Sequence, residues 1–340
     1  MVFILDLLVV VSLSPVRGPG PRASRLSAIS ETWGARTNVA VLLDAAHEDV
    51  ELSRAAVRGA SMRCWLVPPP QKSFKFAQLH VYRFALGRAA REFPGLSDGG
   101  EASAAAPTIN WFVWANDHTF LIVENLHCYL STLDARMPHY AGQRMWGPCC
   151  GSFNSGAAGF AISASAAKSL AFEWRRANQT ESCDVGDKKS HVARCLKNSI
   201  GLSPRDTRDA TGAERFNAYG PVRLATGAVD DWFVKKKAQL SPPEAVLRGP
   251  AGVSAGVATF HYVAAAECRL LDRLLHRPWE WRLDPLALEA EWPEGRTELG
   301  GYSHAWPAKD QEKQMKIAAL LEKIEICGAP DEPAARRAAP

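Results

Sequence analysis

Asn116, Asp117 and His118 are three consecutive polar residues inside an otherwise apolar stretch, NWFVWANDHTFLIVENLHCYLSTL, from Asn110 to Leu133. Aspartate offers a hard oxygen and histidine a nitrogen, so the pair at 117 and 118 is of the type that holds a divalent cation. The aromatic, apolar run Trp111 to Ala115 before the turn is of strand type. After it, Val123, Leu126, Tyr129, Leu130 and Leu133 recur at helical spacing, and Glu124 falls in the first turn, where the helix dipole favours a carboxylate. The unit reads strand, polar turn, helix. In open α/β sheets ligands lie beyond the carboxyl ends of strands, which is where Asp117 and His118 project. A second histidine, His261, occurs in the short strand Thr259 to Val263; alone, a histidine in a strand is ordinarily structural.

The elements that must position these residues alternate between strand and helix patterns. Ser30 to Gly34 leads into Val39 to Leu43, expected as the first strand and ending at Asp44, and Arg63 to Val67 is a second, stopped by Pro68 to Pro70. Ala77, Val81, Phe84 and Ala85 share a face of a helix from about Phe74 to Glu92. Leu96 to Pro107 is a low-complexity surface loop. This order predicts a mostly parallel sheet flanked by helices. Beyond the polar turn, Phe153 to Phe160 is rich in small residues, which permit close approach of either a ligand or a crossing strand. A helix follows from about Ser163 to Ala177 with Ser163 as N-cap. Ser203 to Phe216 is polar and turn-prone, and Ser241 to Val257 is a Pro/Gly-rich connection. Ile317, Leu320, Leu321 and Ile324 stripe an amphipathic helix, ahead of a Pro/Ala-rich tail expected to be disordered.

Composition limits the function classes. With 340 residues, 47% hydrophobic and 22% charged, the chain is globular and large enough for a sizeable core. A net charge of +4, from 40 basic and 36 acidic residues, argues against nucleic-acid binding, and the run Lys235 to Lys237 reads as a solvated face. The 8 cysteines form no CxxC pairs, which argues against structural zinc. A bridge between Cys183 and Cys195 would close a short loop worth about 3 kcal/mol; free buried thiols are the alternative. The N-terminal MVFILDLLVVVSLS falls short of the ~20 residues that span a bilayer and lacks a basic leader, so it reads as a poor signal sequence, the remnant of a membrane anchor, or an apolar terminus. Asn178-Gln179-Thr180 is an N-glycosylation acceptor, in keeping with a secretory route.

Several segments together carry a family resemblance. Glu31-Thr32-Trp33-Gly34, WFVWANDHTFLIVENLHCYL, FNSGAAGFAIS, Cys195 in VARCLK, DTRDATGAERF from Asp206 to Phe216, and FHYV occur in that order. They resemble the family 31 glycosyltransferases, in particular the core 1 β1,3-galactosyltransferase branch, with Fringe-like enzymes as more distant relatives. The resemblance covers roughly residues 27 to 277. It implies a GT-A fold, a Rossmann-type mostly parallel sheet flanked by helices. It also implies Golgi residence as a single-pass type II membrane protein and inverting transfer of galactose from UDP-galactose to O-linked N-acetylgalactosamine on a glycoprotein. The expected organisation is a signal or truncated anchor over 1–16, a linker over 17–26, the transferase domain over 27–290, and a C-terminal helix and tail over 291–340, with a homodimer as a possible assembly.

The resemblance also assigns residues. The family's Mn²⁺ is held by the last carboxylate of an Asp-rich turn and by the histidine of FHYV; these positions fall on His118 and His261, with Asp117 as a further oxygen ligand. The family's Asp-Asp-Asp has become Asn116-Asp117-His118 here. Asn116, Asp117, Arg208 and Trp33 are expected near the nucleotide sugar, although Trp33 also suits the core and Arg208, with Asp209 and Glu214, a surface ion-pair turn. Inversion needs a base for the acceptor hydroxyl. The family's acidic pair aligns with Lys188 and Lys189, which leaves the neighbouring Asp187 as the candidate base. A branch of the same family has lost the metal turn and serves as a chaperone for the active enzyme, and ETW, ENL and CLK match it equally. Asp117, His261 and the Arg208 to Phe216 segment favour the enzyme. A different sugar donor or acceptor is the third reading.

Overall fold

A strand buried on both faces needs apolar residues without alternation, and the N-terminal run supplies them. Ile4–Ser12 forms β1, followed in chain order by β2 (Thr37–Asp44), β3 (Arg63–Val67), β4 (Trp111–Asn116), β5 (Thr119–Leu121), β6 (Tyr140–Gly142), β7 (Arg144–Gly147), β8 (Gly151–Asn154), β9 (Phe160–Ser163) and β10 (Thr259–His261). The computed structural model describes residues 4–13, 19–44, 57, 62–69, 77–93, 108–148, 150–176, 191–276 and 310–328. Six strands form one sheet in the order β3-β2-β1-β4-β9-β6. β1 runs parallel to β2 and β4, and β2 to β3; β9 runs antiparallel to both β4 and β6. The fold is thus mixed α/β with a mostly parallel central sheet flanked by helices, compatible with a GT-A-like fold.

Two expectations change at the N-terminus. The stretch expected as a signal or anchor contributes a central strand, with Leu7 to Val11 fully buried, and Val39 to Leu43 lies in the second strand of the chain. The expected linker over 17–26 is largely helix, α1 (Pro19–Glu31); its prolines fall in the first turn, where a missing N–H costs no hydrogen bond. Among the described residues, no helix is long and apolar enough to cross a membrane.

The pleat of the sheet sorts the core into two layers. Leu7, Val9 and Val11 of β1, with Trp111, Val113 and Ala115 of β4, face one side together with Leu26 and Ile29 of α1. α3 (Val123–Ser131) and, after the short helices α6 (Pro221–Ala225) and α7 (Asp231–Ala238), α8 (Ala265–His276) and α9 (Gln311–Lys323) contribute Leu126, Leu271 and Leu320 to that same layer. Leu8, Val10, Phe112 and Trp114 face the other, against Ala85 and Leu86 of α2 (Ala77–Glu92), Leu170 of α4 (Ala164–Arg176) and Leu196 of α5 (His191–Ile200). Burying a side chain of this size contributes about 1.5–3 kcal/mol, so β1 is a large share of the sheet's cohesion. The N-cap of α4 is as expected, Ser163 Oγ accepting from Ala166 N at 3.3 Å. The C-terminal helix is also found, with Ile317, Leu320 and Leu321 buried. The loop expected over 96–107 lies outside the described residues.

One disulfide joins two segments that the sequence did not pair. Cys128 is bonded to Cys327. Cys195 is also disulfide-bonded, while Cys183 lies outside the described residues. Among the described cysteines, Cys64, Cys150 and Cys268 are outside any disulfide.

A candidate two-histidine site at the sheet switch point

The chain winds outward from β1 through β2 to β3 and then returns to place β4 on the other side of β1. Such a reversal opens a crevice at the carboxyl ends of the strands. Here Asp117 N donates to Ser12 O at 3.0 Å and Ser12 Oγ donates to Asn116 Oδ1 at 2.7 Å, so the polar turn is pinned to the end of β1. Asn116 Nδ2 also donates to Gly156 O at 3.3 Å. The small-residue segment serves tight crossing: Gly159 has φ +75°, and a Cβ there would meet Trp114 O at 3.0 Å.

His118 and His261 are brought together by a short ribbon. β5 pairs antiparallel with β10, Thr259 opposite Leu121 and His261 opposite Thr119. Their Nε2 atoms stand 3.1 Å apart, in a setting where His118 is 8% and His261 2% exposed. His118 Nδ1 lies 3.1 Å from Asp117 Oδ1; as an ionised carboxylate only accepts, the ring donates there and turns its Nε2 lone pair toward His261. Burial, and then the neighbouring His118, hold the His261 imidazole well below its ordinary range, so it is neutral at pH 7. Its Nδ1 is 3.3 Å from Thr119 Oγ1. Two facing lone pairs repel, so the geometry needs either a shared proton, with Thr119 donating to Nδ1, or a cation between the rings. Tyr262, stacked against His118 at 5.6 Å, has φ 58°, a left-handed conformation costing a non-glycine residue roughly 1–2 kcal/mol.

Asp117 stands behind His118 rather than beside it. Its second oxygen pairs with Arg25 of α1 at 2.8 Å, both side chains being at most 1% exposed, so this carboxylate orients the imidazole and balances a buried guanidinium. It thus stands in the supporting carboxylate position common behind ligating histidines. Among the described residues, no cluster of three or more His, Cys, Asp or Glu is arranged to hold a metal; those residues present two facing imidazoles. Arg25, Asp117, His118 and Cys268 line a cavity of about 10 Å³, room for about one water. A larger groove, about 750 Å³, lies at the opposite end of β4, beside Asn110, Lys168 and Phe172, and includes neither histidine.

Other expected site residues fall elsewhere. Trp33 is 0% exposed within the hydrophobic layer beneath α1, so its indole serves the core and is closed to a nucleotide. Arg208 donates to Asp206 from Nε at 3.0 Å and from its terminal nitrogen at 2.7 Å, and its Nε lies 3.6 Å from Glu244. It belongs to an ion network with Arg144, Glu214 and Lys237 rather than to the ribbon. Lys237, expected on a solvated face, is 1% exposed because it bridges Glu214 at 2.5 Å and Glu244 at 2.7 Å. Asp187 and Asn178 lie outside the described residues. Sequence reading missed Arg25 and Thr119; only the Thr119 position, one residue beyond the polar turn, carried any signal.

No protein-family model matches the chain. It is similar to glycoprotein-N-acetylgalactosamine 3-beta-galactosyltransferase 1 of Xenopus laevis, 24% identical over 173 residues, which is 49% of this chain and 45% of the relative. The match thus spans about half the length of that curated protein. The likeness is to a galactosyltransferase, and it leaves donor, acceptor and stereochemistry open.

Proposed function

We propose that the chain is an inverting galactosyltransferase, taking galactose from UDP-galactose to the 3-hydroxyl of O-linked N-acetylgalactosamine, with Mn²⁺ held by His118 and His261. The observation that carries the reading is the 3.1 Å between the two Nε2 atoms at the sheet's switch point. Imidazole nitrogens bind zinc, a first-row cation, at about 2.0–2.1 Å, so two of them on adjacent octahedral or tetrahedral positions lie about 2.8–3.4 Å apart, a window that includes the observed spacing. Bound there, a divalent cation offsets the negative charge that grows on the departing diphosphate. His261 is kept neutral by burial and is therefore a ligand without losing a proton. Asp117 fixes the His118 tautomer whose Nε2 lone pair faces His261. Asp187 is assigned, from the sequence alone, as the base that takes the proton of the acceptor hydroxyl. Residence in the Golgi lumen goes with this activity, and the Cys128–Cys327 bond suits an oxidising compartment.

The test is transfer from UDP-galactose to a GalNAc-threonine peptide by the purified chain with Mn²⁺, alongside chelator, His118→Ala and His261→Ala. The expected result is transfer that disappears in all three controls. Transfer indifferent to chelator and to both substitutions overturns the metal assignment. Absence of both transfer and Mn²⁺-dependent UDP binding overturns the enzyme; the chaperone reading then predicts improved refolding of an active galactosyltransferase.

A further inference from the structure

The ribbon that carries the two histidines is only three residue pairs long, and a two-stranded ribbon has marginal stability by itself. Something must hold its register. Beside it, one buried side chain ties three distant segments together. Asn125, in the first turn of α3 and 3% exposed, donates from Nδ2 to Val257 O at 3.0 Å and to Glu325 O at 2.8 Å. Its Oδ1 accepts from Cys327 N at 2.8 Å. Both amide hydrogens and one carbonyl lone pair are used, across sequence separations of 132, 200 and 202 residues.

Each partner bears on the ribbon. Val257 lies two residues before β10, and the next carbonyl, Ala258 O, accepts from Ile122 N at 2.9 Å, where β5 hands over to α3. Glu325 N donates to Ala255 O at 3.0 Å, tying the C-terminal strap to the same approach to β10. The strap is then bonded covalently to α3 through Cys128–Cys327, one turn beyond Asn125. Asn125 touches neither histidine, yet it sets how the strand leading from His118 lies against the strand leading to His261. An aspartate or leucine here could not donate the two bonds.

We propose that Asn125 is a positioning residue for the two-histidine site, acting through a latch formed by residues 324–327 and the Cys128–Cys327 bond. The claim concerns the register of the ribbon; only its consequence for Mn²⁺ rests on the function proposed above. The deciding measurement is long-range proton–nitrogen NMR of the imidazoles in the metal-free full chain, read beside Mn²⁺ titrations. Wild type is expected to show a single fixed tautomer for each of His118 and His261. In Asn125→Ala, and in the packing-neutral pair Cys128→Ser with Cys327→Ser, those two sets of signals are expected to shift and broaden while the remaining amide spectrum persists. Leu170→Ala, on the far side of the sheet, is the control for general destabilisation and is expected to leave both rings unchanged. Mn²⁺ affinity is expected to drop on the order of 10–100-fold in Asn125→Ala, as for other residues that orient ligands. Should Asn125→Ala not fold, the double serine variant decides. Imidazole signals identical to wild type in a folded latch variant, or equal disturbance in Leu170→Ala, overturn the proposal. A wild type that binds no Mn²⁺ sinks the metal reading instead, and the imidazole signals still judge the latch.

Discussion

The histidine ribbon and the ion network around Lys237 bury comparable numbers of titratable groups and treat them in opposite ways. Around Lys237 the charges are kept and matched: Arg144 and Lys237 both pair with Glu244, Lys237 with Glu214, and Arg208 with Asp206. Along the ribbon two groups are kept neutral. His261 is held uncharged by burial and by His118. Glu267 of α8, where the chain leaves the ribbon, is pushed up to about 8 by burial, against one bond from Ala264 N at 3.4 Å. Asp117 with Arg25 is an ion pair within the same cluster. The lesson is that a matched network is complete in itself and organises a loop, whereas two buried imidazoles facing each other at 3.1 Å are finished only by a proton or a cation.

Removing the network's central charge is the largest of the effects that separate the two regions. Lys237→Met leaves Glu214 and Glu244 buried without their shared cation, and breaking a buried pair costs about 3–5 kcal/mol. Urea unfolding at pH 7.5 reads that loss. Burial already raises the Glu214 carboxyl despite Lys237, so the variant is expected to recover part of its stability at pH 5.5 by protonating that group. A loss below about 1 kcal/mol, the level of surface pairs, shows instead that the network contributes little.

Glu267→Gln examines the neutral strategy, and its sign is opposite. With a folded-state pKa of about 8 against an ordinary 4.5, the folded chain holds a proton between those values that the unfolded chain has released. That residue's contribution therefore falls as pH rises from 4.5 to 8, at up to about 1.4 kcal/mol per pH unit. Glutamine mimics the protonated acid and removes the slope. The variant is expected to match wild type near pH 5 and to exceed it by about 2–4 kcal/mol at pH 8, measured by denaturant unfolding across that range. A wild type that is the more stable of the two at pH 8 means that Glu267 is ionised and paired.

How much of this was visible in the sequence depends on where each residue's partner lies. Val39 to Leu43 and Trp111 to Ala115 were legible as strands because a strand buried on both faces is written as a continuous apolar run. The same property hid β1, since a short apolar N-terminus is also what a leader looks like and its neighbour Trp111 is a hundred positions away. Asp117 and His118 stood out locally. His261 gained meaning only through resemblance, and its opposition to His118 depends on a strand pairing across more than 140 residues. Arg25 and Asn125 carry no pattern at all, being ordinary residues whose roles come from what folding puts beside them, and Thr119 is marked only by its place one residue beyond the polar turn. Lys237 was misread because a lysine run looks solvated until Glu214 and Glu244 are folded around it.

The smallest effect sharpens the contrast at its exposed edge. Asp206 loses by burial but gains more from the hydrogen bonds of Arg208 and the charges of Arg144 and Arg208, which hold its carboxyl at about 2. Its side chain is still 42% exposed, so solvent screening limits the pair to about 1 kcal/mol or less. A depressed carboxyl contributes stability above its ordinary pKa of 3.8 and loses it only as pH falls toward 2. Asp206→Asn is therefore expected to lower stability by a constant small amount from pH 5 to pH 8, where Glu267→Gln shows its whole slope. A pH-dependent difference for Asp206→Asn within that window means that the carboxylate is not fully ionised there, and the division between paired and neutralised regions fails at this residue.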